Sequence, residues 1–252
     1  AEDEPLHALF EASVVAGPAR TAVVTAEESV SYGELDARAN ALAWHLRVAC
    51  GVGPESLVGL CVKPCVGMLV GMLGIMKAGG AYVPIEAGTP ETRARSIINR
   101  CDITVTIQQA NITATWIGYV ETTVVVSATG EVNHANDGAG TSVEKIIARG
   151  LACYAICTSG STGKAKVVVL EHQSVRALVV AATASEALRH SHTDIVLQSF
   201  AYVFDGFVGT QWYTFAACAC LALFDNYALL ENGMDLIREY KVTVLSATAS
   251  QL

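Results

Sequence analysis

The sequence predicts an α/β fold of layered sheets flanked by helices. Short apolar runs recur along it, at 57–62, 151–156, 167–170, 195–200 and 219–224, and read as buried strands. Stretches with helical spacing of apolar residues lie between them, most clearly at 35–50 and 66–77. The composition is 52% hydrophobic, ample for a large core and contrary to disorder.

Taken in order, residues 21–25 and 28–32 read as two strands around an acidic turn. Ser31 and Glu34 have the spacing of a capping box, and Leu35, Ala39, Leu42 and Leu46 then carry a helix that Gly51 and Gly53-Pro54 end. After the strand at 57–62, the helix at 66–77 sets Gly67, Gly71 and Gly74 on one face, a pattern for close packing, and stops at Gly79-Gly80. Thr89-Pro90-Glu91 reads as a helix start, with Thr89 as cap and Pro90 in the first turn, and that helix ends near Arg100. Ile103, Val105 and Ile107 alternate with polar residues as in a strand, and 124–126 reads as another. Residues 127–142 read as a polar loop, in which His134 and Asp137 are solvated rather than metal-binding. His172 reads as a structural residue at a strand-to-helix turn. Ser174 caps the helix that follows, with Val175, Leu178, Val179 and Ala182 on its buried side. Strand, helix and strand are expected at 219–224, 234–240 and 242–245.

The stretch 206–224 carries no charge and is nearly long enough to cross a bilayer. It holds Thr210, Gln211 and Thr214 and is flanked by Asp205 and Asp225, so a buried helix running into a buried strand accounts for it better than a membrane span. A formal charge of −8 excludes a nucleic-acid partner that works by displacing phosphate counterions. The acidic start, residues 1–5, has the wrong sign for a secretory signal. The 8 cysteines include no C-x-x-C pair, so reduced, mostly buried thiols in a cytoplasmic protein are expected rather than zinc.

The stretch richest in chemistry lies between the runs 151–156 and 167–170. It has no bulky side chain, and Gly160 and Gly163 free the backbone to form a concave nest of N–H groups for an anion. The hydroxyls of Thr158, Ser159, Ser161 and Thr162 add donors, and Lys164 and Lys166 add charge. Polyphosphate binding follows; the plain alternative is a Ser/Gly linker. A Walker loop needs G-x-x-x-x-G-K-S/T, but Thr158 stands where its first glycine should be and Ala165 where its Mg²⁺ hydroxyl should be. The stretch instead resembles the phosphate loop of the adenylate-forming superfamily, T-S-G-S-T-G-x-P-K-G, with Ala165 for proline and Val167 for the last glycine.

Further motifs resemble the amino-acid-activating branch, the adenylation domains of nonribosomal peptide synthetases. Residues 30–35 are similar to L-T/S-Y-x-E-L, and 76–86 to L-K-A-G-x-A-Y-V-P-I/L-D. Phe204-Asp205 is similar to the family's F-D-x-S, where an aromatic and an aspartate face the substrate. Asp205 is a lone acid in an uncharged stretch, and a buried carboxylate needs a cation. Arg176 or Lys241 could supply it; the resemblance supplies the ammonium of an amino acid.

The resemblance implies the large N-terminal lobe of the adenylate-forming fold, truncated, with one subdomain at 1–150 and the start of a second at 151–252. It implies ATP with Mg²⁺, an amino-acid substrate held at Phe204, Asp205, Gly206, Gly209 and Ser246, and a partner carrier domain bearing phosphopantetheine beside a condensation domain. The phosphates would lie on Thr158, Ser159, Gly160, Ser161, Thr162, Gly163, Lys164 and Lys166. The two glycines at 206 and 209 suggest a roomy pocket. The family's adenine and ribose motifs and its catalytic lysine are not in these residues, so the chain alone is expected to adenylate poorly or not at all. A CoA ligase of the same superfamily and a non-catalytic nucleotide-binding module are the alternatives.

Overall fold

The computed structural model describes residues 4–132, 150–158, 166–186 and 189–246. The chain opens with α1 (Ala8–Ala16), β1 (Thr21–Val24), β2 (Ser29–Ser31) and α2 (Tyr32–Val48). The capping box forms as expected. The Ser31 amide donates to the Glu34 carboxylate at 2.8 Å, and the Glu34 amide donates to the Ser31 hydroxyl at 3.2 Å. Helix α1 has no counterpart among the expected elements.

There follow β3 (Leu57–Cys61), α3 (Val66–Ala78), β4 (Ala81–Pro84), α4 (Glu91–Arg100), β5 (Val105–Gln109), β6 (Thr122–Val126), β7 (Ala152–Thr158) and β8 (Lys166–Glu171). Helix α5 (His172–Ala184), β9 (Ile195–Gln198), α6 (Asp205–Ala216), β10 (Cys220–Leu223), α7 (Asn226–Glu239) and β11 (Val244–Ser246) complete the described chain.

Two units divide it. The first comprises Ala1–His7, Ala37–Lys63 and Gly67–Val175; the second comprises Ala8–Asp36, Pro64–Val66 and Arg176–Leu252. The first holds a sheet in the order β6-β5-β3-β4-β7-β8. All its pairings are parallel except that of β8 with β7. Alternation along β3 explains how both faces are covered. Leu60 meets Gly71 of α3, whose added Cβ would lie 2.8 Å from the leucine, while Cys61 points the other way into a cluster with Ala94, Ile97 and Ile98 of α4. Gly74 makes the same close approach to Leu42 of α2. The small face of α3 is therefore a packing device, as its spacing implied.

In the second unit the order is β11-β9-β10-β1-β2, parallel but for β2. Leu197 packs with Ala228, Leu229, Leu236 and Ile237 of α7, and its neighbour Gln198 faces α6. Helices α1 and α6 meet through Phe10 and Phe215, ring centroids 5.2 Å apart, and through the Ser13 hydroxyl, which donates to the Phe215 carbonyl at 2.6 Å. The Tyr32 hydroxyl donates to the Ala219 carbonyl at 2.7 Å. The uncharged stretch is indeed a buried helix, α6, turning through Cys218 (φ 54°) into a buried strand, β10. No helix among the described residues is long and apolar enough to cross a membrane.

Five local expectations need correction. Helix α5 starts at His172, so Ser174 lies inside it rather than capping it. Strand β8 is an edge strand with Val168 and Val169 46% and 48% exposed, not a buried one. Pro90, not Thr89, takes the N-cap of α4 and makes no side-chain bond there. Leu178 on α5 is 57% exposed rather than buried. Helix α7 starts at Asn226, capped by Asp225 Oδ1 accepting from the Ala228 amide at 2.7 Å. The apolar spacing at 234–240 catches only the part of it beyond a non-helical residue, Asn232.

Candidate functional site

In the first unit the carboxyl ends of β3, β4, β5, β6 and β7 point the same way, because these strands are parallel. Open α/β sheets place ligands outside such carboxyl ends. Thr158 is the last residue of β7 and Lys166 the first of β8, and the two are register partners. Both side chains are exposed. The hydroxyl- and lysine-rich stretch is thus rooted between paired strand ends at the sheet's carboxyl edge. Of the residues expected on phosphate, Ser159, Gly160, Ser161, Thr162, Gly163 and Lys164 lie outside the described residues, as do His134 and Asp137.

The opposite edge holds an open groove of about 350 Å³, lined by Gly51, Val52, Glu55, Ser56, Leu57 and Thr104 among others. It sits at the amino ends of β3 and β5, away from Thr158 and Lys166.

The second unit holds the residues expected on the substrate. Ser246 ends β11 and Gln198 ends β9, side by side in register. The chain leaves Gln198, crosses a short loop and enters α6 at Asp205, so Phe204, Asp205, Gly206, Gly209 and Ser246 belong to the carboxyl edge of this sheet or the helix starting there. Gln198 braces the loop. Its Nε2 donates to the Phe207 carbonyl at 3.0 Å, and its Oε1 accepts from the Phe200 amide at 3.2 Å. The Ser199 hydroxyl donates to the Ser246 carbonyl, tying the loop to β11. Gln198 was not singled out in the sequence; a buried amide at the end of an apolar strand is the only signal it offers.

Two expectations about this site change. Asp205 is exposed, not buried, so desolvation does not force a cation on it. Its carboxylate instead sits in the first turn of α6, where the helix's unpaired N–H groups favour negative charge. The suggestion of room beside Gly206 is also revised. A Cβ there would lie 2.8 Å from the Phe200 ring, which already fills the space, whereas one at Gly209 would have the Tyr213 ring as its nearest neighbour, at an ordinary 3.5 Å. Phe204 is 61% exposed at the helix start.

His172 is buried at the start of α5, its Nδ1 accepting from the Leu6 amide at 3.1 Å. Burial lowers its pKa to about 4, so it is neutral, a structural acceptor. No cluster of three or more His, Cys, Asp or Glu among the described residues could hold a metal ion.

A hydroxyl and a lysine stand paired across two strand ends at the carboxyl edge of a mostly parallel sheet, the edge where open α/β folds hold ligands. Residues 10–252 match the family described as AMP-binding enzyme, and the chain belongs to that family. It is 35% identical over 253 residues to a linear gramicidin synthase of Brevibacillus parabrevis, a match that takes in 98% of this chain but 5% of that protein. Among solved structures, VinN in complex with 3-methylaspartate superposes with a TM-score of 0.83 at 22% identity, over 99% of this chain and 67% of VinN. The nonribosomal peptide synthetase FmoA3, in its AMPPNP-bound form, gives 0.81 at 24% identity, over 95% of this chain and 25% of that one. Its α-methyl-L-serine-AMP form gives 0.79 at 25%, over 95% and 26%.

Proposed function

We propose that this chain is the amino-terminal part of an adenylation domain of a nonribosomal peptide synthetase, a domain that as a whole activates an amino acid with ATP. The observation that carries this is the pairing of Thr158 with Lys166 at the root of the phosphate stretch, in a chain of the AMP-binding family. The nonribosomal synthetases among its relatives, and a neighbour that holds an aminoacyl adenylate, give the reaction its class.

The substrate's carboxylate attacks the α-phosphorus of ATP, and pyrophosphate leaves. Negative charge moves onto the β and γ phosphates as the bond breaks. The ammonium of Lys166 and the hydroxyl of Thr158 stabilise that charge. Mg²⁺ enters on the phosphates of ATP as part of the substrate. Asp205 takes the α-ammonium of the amino acid, and Phe204, Gly206, Gly209 and Ser246 line the side-chain end. The acyl group then passes to the phosphopantetheine thiol of a carrier domain, and a condensation domain uses it.

Amino-acid-dependent exchange of pyrophosphate into ATP by the full-length protein tests the reading. Replacing Lys166→Ala removes a charge-assisted contact of about 1.5–3 kcal/mol, so kcat/KM for ATP should fall roughly ten- to hundredfold. Unchanged ATP kinetics in that variant would remove Lys166 from the phosphate site.

A further inference from the structure

Helix α6 is buried over most of its surface and open along one stripe. At about 3.6 residues per turn, Gly209 stands about 40° round the axis from Asp205, Tyr213 about 80° and Gly206 about 100°. The four therefore share one arc, with Asp205 exposed and the other three half-buried. The remaining side chains from Phe207 to Phe215 are buried. Helical side chains lean toward the amino terminus, so Tyr213 lies over the turn at Gly209. A Cβ at Gly209 would have Tyr213 Cε2 at 3.5 Å, and Cζ and Oη at 3.7 Å. The tip of the ring thus stands in the room that Gly209 leaves, on the arc that carries the Asp205 carboxylate. On the same arc the Phe200 ring takes the room left by Gly206. Two aromatic rings therefore set the width of the stripe where two side chains are missing. Among the described residues the Tyr213 hydroxyl has no hydrogen-bond partner.

We propose that Tyr213 is a specificity-determining residue: its ring closes the amino-acid pocket beside Gly209, and its hydroxyl bonds a polar group on the substrate's side chain. The inference rests on the proposed function, which sets the substrate's ammonium on Asp205. A side chain that runs from there along the stripe of α6 passes Gly206 and Gly209 and meets the phenol of Tyr213. A methyl group at Gly209 would already be in contact with the ring, so bulky side chains are turned away on that side. A neutral phenol both donates and accepts a hydrogen bond. The substrate class that fits is an α-amino acid with a short side chain ending in a hydroxyl or a carboxamide. An aliphatic side chain of the same shape would displace water from the phenol and leave it unpaired, which costs affinity.

The test is pyrophosphate exchange by the full-length protein with amino acids in pairs of like shape, threonine against valine and asparagine against leucine. The polar member should lead in at least one pair by about tenfold or more in kcat/KM, a reading that needs no variant. In Tyr213→Phe that lead should shrink roughly three- to tenfold, with kcat/KM for the aliphatic member and KM for ATP unchanged. In Tyr213→Ala, kcat/KM for phenylalanine relative to threonine should rise roughly tenfold or more. A residue that only supports the fold would lower exchange with every amino acid alike and leave these ratios where they were. Unmoved ratios in both variants would overturn the role of Tyr213 and leave the proposed function standing. Aliphatic members that equal or lead their partners in both pairs would overturn the hydrogen bond to the substrate. A full-length protein that exchanges with no amino acid would overturn the proposed function, and this inference with it.

Discussion

Gly206 shows how one missing carbon shapes the substrate edge. The Phe200 ring stands where its Cβ would be, with three ring carbons at 2.8–3.1 Å. Gly206→Ala should therefore cost about 1–3 kcal/mol of stability by overpacking. Chemical denaturation would measure this, and the loss should largely disappear when Phe200→Leu is made in the same chain. An alanine tolerated without cost beside an intact Phe200 would mean the ring is free to move away. His172 makes a second prediction, with a definite sign. Its pKa falls from 6.5 to about 4 on folding, so the unfolded chain binds the extra proton between those values. Stability is full above pH 6.5 and is lost as pH falls toward 4, by up to about 3 kcal/mol. A series of melting temperatures across that window should slope in the native protein and flatten in His172→Gln, which keeps an acceptor for the Leu6 amide. Equal slopes in both would assign the dependence to other groups.

Among the elements, α2 is the one whose sequence signal and structure agree most fully. Ser31 and Glu34 satisfy each other's backbone amides at its entrance, so Ser31→Ala should lower stability by about 1 kcal/mol. Equilibrium unfolding would measure it, and a change below a few tenths would mean solvent replaces the bond. Elements with strong local signals were legible in the same way: the glycine face of α3, the apolar run of β3, the strands either side of the phosphate stretch. Others were not, each for a physical reason. Helix α7 bends at Asn232, and its exposed first half, with Tyr227 and Leu230 at 70% and 86% exposure, carries no clean apolar face. Helix α4 begins at proline rather than at the threonine before it, because boundaries one residue apart have the same local sequence signature. Leu178 is apolar but exposed, and periodicity cannot distinguish that from burial.

At the scale of the whole molecule, the alternation of strands and helices sufficed for the α/β class and the layered sheets. It could not show that β1 and β2, from the start of the chain, join β9, β10 and β11 in one sheet, because that pairing is made between residues some two hundred positions apart. Nor could composition show that Asp205 is exposed at a helix start; an uncharged neighbourhood looks the same around a buried acid and a hydrated one. What the motifs did reveal is the chemistry at the edges of the sheets: hydroxyls and lysine at one, a carboxylate among glycines at the other. In the proposed function this carboxylate selects substrates bearing an ammonium group. The most direct measurement is amino-acid-dependent pyrophosphate exchange in the native protein and in Asp205→Asn. The variant is expected to lose roughly ten- to hundredfold in kcat/KM for the amino acid, while its KM for ATP stays put. Equal amino-acid kinetics in the two proteins, or activation of a carboxylic acid lacking the amino group as readily as any amino acid, would contradict that role.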